Sequence, residues 1–222
     1  MFPLRDTQPS NSKPVITTLL IAINVAVFLH LISLDPYSRN EFISVYGLTP
    51  ARFHVTGLLT SMFLHGGWIH LISNMWFLWV FGDNVEDILG HGKYLLFYLL
   101  CGLGAAVAHL FFNFFSPVPT VGASGAIAGV MGAYMVKFPR ARVLTLIFIF
   151  VFFTTVEVPA VVMLAYWFLI QLFSGVETIG YSHLSQGGVA WFAHVGGFVA
   201  GIILVFVMRP RQPYGRRRDL HW

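Results

Sequence analysis

Residues 122–132 read GASGAIAGVMG, an apolar stretch of small residues with a single hydroxyl at Ser124. Gly125, Gly129 and Gly132 fall on one face of a helix with this sequence, because residues three and four apart lie on the same side. Small residues at this spacing are typical of membrane helices whose backbones approach each other closely. The stretch therefore predicts a tightly packed helix in a membrane bundle, with Ser124 near its N-terminus.

The composition of the whole chain indicates the same environment. Of its 222 residues, 57% are hydrophobic and only 10% are charged, and the mean hydropathy is +0.75. A soluble domain is roughly 25% charged, and a globule with so few polar residues could not cover its apolar side chains. The chain is therefore expected to be an integral membrane protein. Its one cysteine, Cys101, excludes an intrachain disulfide bond.

Apolar segments divide the sequence into candidate membrane spans. A helix of about 20 residues crosses a hydrocarbon core of about 30 Å, and six segments approach or exceed that length: 14–34, 58–81, 94–115, 121–138, 158–173 and 188–208. The segment 143–156 is apolar but short. We expect an interfacial segment or the start of a long fifth helix there, rather than a seventh span. This pattern predicts an all-α bundle of six transmembrane helices.

The positive charges favour six spans and orient them. With an even number of spans, both termini lie on one side of the membrane together with the basic loops. That side then carries eleven of the thirteen lysines and arginines, and only Arg39 and Arg52 lie opposite. Because loops rich in Lys and Arg stay in the cytoplasm, we expect a short cytoplasmic segment (1–13), a membrane domain (14–208) and a basic cytoplasmic tail (209–222). The tail is interpreted as an orientation signal facing anionic lipid, and no nucleic-acid partner is expected.

Polar side chains inside the spans are the first candidates for function, because they are costly in lipid. Six of them are His65, His70, Asn74, His109, Ser124 and His194. At 1.5 Å per helical residue, Ser124, His194 and His70 each lie roughly 20 Å above the cytoplasmic end of their helix. A serine hydroxyl and an imidazole at one depth are the two parts of an activated nucleophile. His109 reaches a similar depth but has no glycine face, and a packing or loop-facing role is the simpler interpretation of it.

Glycines beside both groups favour contact between Ser124 and His194. Gly197 and Gly201 follow His194 at i+3 and i+7, on the same helical face. With Gly125 and its glycine face on the other helix, the two backbones could approach closely. Such an approach is what a hydrogen bond of about 2.6–3.2 Å between the serine and the histidine requires.

The residues ahead of Ser124 favour an oxyanion site. Residues 116–120 contain two prolines and cannot form regular helix, so a helix begins near Ser124 and its free amides point toward the hydroxyl. His70 and Asn74 share a helical face at i, i+4 and could donate to the same oxyanion. No metal is expected, since His65 and His70 lack the spacing and the glutamate of a zinc-binding HExxH helix.

At these residues the chain resembles the rhomboid family of intramembrane serine proteases. The matching motifs appear in the family's order from about residue 58 to residue 208: His65-Gly66-Gly67-Trp68-Ile69-His70 with Asn74, Glu86 before Gly90, Gly122-Ala123-Ser124-Gly125, and Ala193-His194 with Gly197 and Gly201. The resemblance implies a six-helix fold, a catalytic dyad of Ser124 and His194, and an oxyanion site of His70, Asn74 and the Ser124 amide. Structural or near-site roles are implied for His65, Glu86, Gly122, Gly125, Gly197 and Gly201. It also implies cleavage of other membrane proteins in or beside their transmembrane segments, without a cofactor.

Two departures from the family's pattern leave parts of the site open. Ala128 stands where some members have an aromatic residue that stacks on the catalytic histidine. The sequence therefore leaves open what orients His194. Residues 46–52 stand in place of a Trp-Arg pair that is common in the first loop. In the family's mechanism, the fifth helix and the segment 171–188 would gate lateral entry of the substrate.

Two other functions are weighed against proteolysis. One is a non-catalytic relative that binds membrane clients, although such relatives typically lack the serine or the histidine. The other is a transporter with a histidine-lined path, although ion coupling commonly uses intramembrane carboxylates, and none lies deep in the predicted spans. The compact plan and the short polar N-terminal segment favour a prokaryotic plasma membrane. The natural substrates, the cleavage-site preference and the oligomeric state stay open.

Overall fold

The computed structural model describes residues 2–149, 152–180 and 190–210. Within these ranges the chain forms eight α-helices: α1 Val15–Ser33, α2 Pro36–Tyr46, α3 Gly57–Thr60, α4 Trp68–Leu89, α5 His91–Phe112, α6 Ser124–Lys137, α7 Ala160–Gly180 and α8 Trp191–Val207. Two single turns of 3-10 helix, Pro50–Arg52 and Ser61–Phe63, flank α3.

Breaks in the local sequence explain where these helices begin. The pair Gly66 and Gly67 separates the short turns around α3 from the long helix α4, because glycine disfavours the helix interior. The proline-containing segment 116–120 cannot continue α5, and α6 begins only at Ser124. At α2, the Asp35 side chain accepts hydrogen bonds from the backbone amides of Tyr37 and Ser38, which satisfies two donors of the first turn.

Six of the helices lie where the six spans are predicted, and one of them is displaced. The displaced helix is α4, which begins at Trp68 and extends to Leu89 instead of covering 58–81. Among the described helices, α1 and α5 are long and apolar enough to cross a bilayer, judged by length and composition. The segments Ala160–Val176 and Trp191–Val207 are shorter apolar helices. The chain is thus a mostly helical bundle, and the count of six spans stays a prediction.

The helix α6 lies at the centre of the bundle. Every residue from Gly125 to Tyr134 is buried, and α6 packs against α4, α5, α7 and α8. Toward its C-terminal end, the Tyr134 ring packs edge-on against Phe81 of α4, with 5.0 Å between the ring centroids. A helix surrounded in this way can position its first residue accurately, because packed interiors resist displacement.

A three-stranded antiparallel sheet forms next to the helices. Its strands are β1 Phe2–Asp6, β2 Arg142–Ile149 and β3 Phe152–Pro159, and β2 lies in the middle. The hairpin register runs from Arg142 opposite Pro159 to Ile149 opposite Phe152. On the other edge, β1 pairs with β2 and has a register shift between Pro3 and Arg5.

This sheet corrects two predictions. The all-α fold class is wrong for this part of the chain, and residues 143–149 and 152–156 lie in two paired antiparallel strands instead of beginning a fifth helix. The segment is rich in β-branched and aromatic residues, which fit the pleated surface of a sheet better than a helix. Its central strand also gains a partner from the N-terminal segment, and that partner cannot be read from the local sequence.

Two carboxylates hold the N-terminal part of the chain against the bundle. The fully buried Glu86 accepts hydrogen bonds of 2.8 Å from the backbone amides of Ile16 and Thr17. It thereby satisfies donors that the first turn of α1 leaves free. Asp6 of β1 accepts a hydrogen bond from the Tyr134 hydroxyl of α6. Burial raises the pKa of the Asp6 carboxyl from 3.8 to about 7.

Candidate active site

Ser124 and His194 meet where α6 and α8 begin. Ser124 is the first residue of α6, and His194 lies in the first turn of α8. The distance between His194 Nε2 and Ser124 Oγ is 2.7 Å, within the range of a hydrogen bond. His194 is only 8% exposed. The imidazole is therefore placed to accept the hydroxyl proton of Ser124, away from bulk water.

Close packing of α6 against α8 produces this contact. A Cβ atom added to Gly197 would lie 1.9 Å from the backbone oxygen of Gly125, and one added to Gly201 would lie 2.0 Å from that of Gly129. Real Cβ atoms do not approach an oxygen so closely, so the two helices touch through bare backbone. The i+3 and i+7 positions after His194 thus bring its helix to within hydrogen-bonding distance of Ser124.

Gly122 places the loop before α6 beside His70. Its φ of +131° lies in a region that favours glycine, and its amide donates to the Ser61 carbonyl at 2.9 Å. A Cβ atom at Gly122 would lie 2.8 Å from His70 Nε2 and 3.6 Å from Ser124 Oγ. His70 and Ser124 therefore border one small space, which only a residue without a side chain leaves open.

The other two predicted polar residues of α4 and its approach lie close by. Asn74 lines a cavity that Ser124 and His70 also line, and its Nδ2 donates to the His70 carbonyl at 3.0 Å. One hydrogen atom of this amide can still be directed elsewhere. His65 is fully buried, with its ring edge-on to His70 at 5.0 Å between centroids. Neither ring nitrogen of His65 has a hydrogen-bond partner within the described part of the chain.

His109 holds the loop that precedes the serine. Its Nε2 lies 2.8 Å from the Thr120 hydroxyl. The backbone of Thr120 exchanges two hydrogen bonds with Leu48, of 2.9 and 3.0 Å. The segment ahead of Ser124 is therefore fixed both to α5 and to the loop after α2. His109 thus contacts the loop before Ser124 through a hydrogen bond.

Two residues of α7 complete the surroundings of His194, and the sequence analysis missed both. Gln171 Oε1 lies 2.6 Å from His194 Nδ1, and Gln171 is only 6% exposed. The Trp167 ring lies 5.7 Å from the imidazole between centroids, inclined by 40°. A carboxamide within the apolar run 158–173 was a signal in the sequence, because polar groups are costly there. Its pairing with His194 depends on how α7 packs and could not be read from the sequence.

Several of these groups line one cavity of about 810 Å³. Ser124, His194, His70 and Asn74 line it, together with Trp167. The volume is within the range of about 300–1,000 Å³ that is typical of ligand sites. In the described ranges, no group of three or more His, Cys, Asp or Glu side chains is placed to hold a metal ion. The chemistry that this cavity offers is that of a serine hydroxyl beside an imidazole.

Comparison with known proteins places the chain among membrane proteins of one kind. The family model for the rhomboid domain matches residues 52–211, which is more than half of the chain. The matched segment contains α4 to α8 and every residue of the candidate site.

Individual relatives agree with this match. Rhomboid protease GluP of Bacillus subtilis is 38% identical over 130 residues, covering 56% of this chain and 25% of that protein. RHOMBOID-like protein 6, mitochondrial, of Arabidopsis thaliana is 29% identical over 227 residues, covering 95% of this chain and 66% of that protein. Rhomboid protein 1, mitochondrial, of Saccharomyces cerevisiae is 28% identical over 225 residues, covering 99% and 59%. This chain spans less than two thirds of the length of each of these proteins. Because the family model matches more than half of the chain, the chain belongs to the rhomboid family of integral membrane proteins.

Proposed function

We propose that this protein is a serine endopeptidase that cleaves other membrane proteins in or beside their transmembrane segments. The observation that carries the proposal is the 2.7 Å contact between His194 Nε2 and Ser124 Oγ at the wall of the large cavity. A hydroxyl hydrogen-bonded to a buried imidazole is the arrangement that activates a serine. The name of the Bacillus subtilis relative, a rhomboid protease, agrees with it.

The reaction follows from these two side chains. His194 Nε2 takes the proton from Ser124 as Oγ forms a bond to the carbonyl carbon of the scissile peptide. When the tetrahedral intermediate breaks down, the protonated imidazole gives that proton to the departing amine, and an ester on Ser124 remains. A water molecule, deprotonated by His194, then attacks the ester. The bond between Oγ and the acyl carbon breaks, the proton passes from His194 back to Oγ, and the acid is released. No cofactor takes part in this scheme.

The negative oxygen of the intermediate needs donors at the start of α6. The amides of the first turn have no acceptor within the helix, and the positive end of the helix dipole lies there. His70 Nε2 borders the space beside Gly122 and is our second donor. Asn74 is the third, through the amide hydrogen that does not bond to the His70 carbonyl. A single such donor contributes roughly 10²–10³-fold in rate in other serine proteases.

The proposal includes the setting of the enzyme. We place residues 1–13 and 209–222 on the cytoplasmic side of six spans, with the substrate entering from the bilayer. The relatives come from Bacillus subtilis and from mitochondria, so a prokaryotic plasma membrane stays a prediction. The substrates are expected to be transmembrane proteins.

Labelling with a fluorescent fluorophosphonate tests the activated serine without knowledge of the substrate. We expect the purified wild type to be labelled, and Ser124→Ala and His194→Ala to lose the label. Ser73→Ala is the matched control, because Ser73 lines the same cavity while its hydroxyl donates to the His70 carbonyl. This variant should keep the label.

Two results would contradict the proposal. Label that persists in Ser124→Ala would place the nucleophile elsewhere. A folded wild type that neither takes the label nor cleaves a model transmembrane substrate in liposomes would indicate a protein that binds membrane clients without cutting them.

A further inference from the structure

The catalytic histidine of the proposed protease has a second partner that orients it. His194 Nε2 faces Ser124, and on the opposite side of the ring Nδ1 lies 2.6 Å from Gln171 Oε1. Both side chains are more than nine-tenths buried. Resting on the function proposed above, we propose that Gln171 is the positioning residue of the active site and takes the place of the carboxylate in a serine–histidine–aspartate triad.

The chemical reason is the choice between two tautomers of the imidazole. To act as a base toward Ser124, the ring must carry its proton on Nδ1 and leave Nε2 free. The carbonyl oxygen of a carboxamide only accepts hydrogen bonds. With Oε1 directed at Nδ1, the proton is held there, and the lone pair of Nε2 faces the serine hydroxyl. Gln171 therefore selects the reactive tautomer.

A neutral acceptor suits this position in the membrane. Within the described ranges, no carboxylate hydrogen-bonds to His194, whose two side-chain partners are Ser124 and Gln171. A buried carboxylate would cost far more to desolvate than a carboxamide. Gln171 fixes the ring through one hydrogen bond without placing a permanent negative charge beside the serine.

A second residue of α7 restricts the ring from its face. Trp167 precedes Gln171 by four residues and lies on the same side of α7, with its ring 5.7 Å from the imidazole. Phe198 of α8 stacks on Trp167 at an interplanar angle of 30°. The side chain at position 128, which is only a methyl group, could not supply this contact. Both contacts that orient His194 from α7 thus come from adjacent turns of one helix.

The test compares two substitutions of Gln171 in the full-length protein. Gln171→Leu removes the acceptor and leaves the Nδ1 proton unpaired in a buried site. We expect the fluorophosphonate labelling rate to fall roughly 10–100-fold, which corresponds to the loss of one buried hydrogen bond. Leu169→Ala is the matched control, since Leu169 is 46% exposed on the outside of the same helix. It should label at the wild-type rate.

Gln171→Glu gives the readout that a purely structural role would not change. A carboxylate still accepts from Nδ1, so the variant should keep labelling at alkaline pH. Its negative charge favours the doubly protonated ring, so the pH at which labelling is half-maximal should rise by about one unit or more. The other titratable groups that face the cavity, His70 on α4 and His109 on α5, are unchanged in every variant and contribute equally.

The outcomes separate this inference from the proposed function. A labelled wild type with an inert Ser124→Ala variant supports the serine protease whatever Gln171 does. On that background, wild-type labelling by Gln171→Leu would overturn the positioning role. An unchanged pH profile in Gln171→Glu would overturn it as well. Slower labelling by the first variant and a shifted profile in the second would establish it.

Discussion

The absence of a side chain at position 122 keeps the proposed oxyanion space open. The backbone of Gly122 has a φ of +131°, which an L-residue with a side chain adopts only with strain. The added Cβ would also meet His70 Nε2 at 2.8 Å. One hydrogen atom in place of a methyl group therefore determines both the path of the loop and the room beside Ser124.

We predict that Gly122→Ala lowers the fluorophosphonate labelling rate by about 10²-fold, the effect of a displacement of about 1 Å in an active site. The methyl group pushes His70 away and strains the loop before Ser124. Gly92→Ala is the control, because a Cβ atom there has nothing within 4 Å. Equal rates for Gly122→Ala and wild type would show that the space is not used in the reaction.

Among the helices, the contact between α6 and α8 is the one on which the site depends. Gly197 and Gly201 face the backbone oxygens of Gly125 and Gly129. With no side chains between them, the axes come close, and van der Waals contact between backbones takes the place of a hydrophobic driving force. The distance between Ser124 and His194 is therefore set by residues up to two turns away from either of them.

Gly201→Ala should separate these helices. Its Cβ would lie 2.0 Å from the Gly129 oxygen, and overpacking of this kind typically costs about 1–3 kcal/mol. We expect a lower thermal unfolding midpoint in detergent and slower labelling, while Gly92→Ala unfolds at or slightly above the wild-type temperature. A Gly201→Ala protein as stable as wild type would mean that the helices can adjust without cost.

The sequence predicted the helices better than it predicted what lies between them. The positions of α1, α5, α6 and α8 follow from apolar runs bounded by glycine or proline, which are local signals. The hairpin of β2 and β3 was missed, since an apolar run alone does not distinguish a strand from a helix and the partner strand β1 is distant in sequence. Gln171 was also missed, because packing against other helices sets the rotation of α7 about its axis, and the local sequence does not show that rotation.

At the scale of the whole molecule, Asp6 joins the sheet to the centre of the bundle. Its carboxyl pairs with Tyr134 of α6, and burial raises its pKa to about 7. The folded protein therefore keeps a proton that the unfolded chain releases above about pH 4. The contribution of this carboxyl to the free energy of unfolding is therefore fully present below about pH 4. It decreases as the pH rises toward 7 and changes little at higher pH.

We predict that Asp6→Asn weakens this dependence on pH. Wild type should lose about 1 kcal/mol per pH unit across the window, measured as the thermal unfolding midpoint between pH 4.5 and pH 7.5 in one detergent. Asp35→Asn is the matched control. The Ser38 hydrogen bonds hold the pKa of Asp35 below its ordinary value, outside the window, so this variant should keep the wild-type slope. A wild-type slope in Asp6→Asn would assign the titration to another group.

The pairing of β1 with β2 has a consequence for synthesis. Phe2 pairs with Leu146, so the first strand is made before α1, α4, α5 and α6, and its partner follows them. At a ribosomal rate of about 5–20 residues per second, the wait is on the order of ten seconds. During that time a lone strand could pair with any other nascent chain. Pro3 offers no N–H, and the register shift beside it interrupts the ladder, two features that make an unpaired edge a poor template. These features reduce pairing of β1 with other chains before β2 is synthesised.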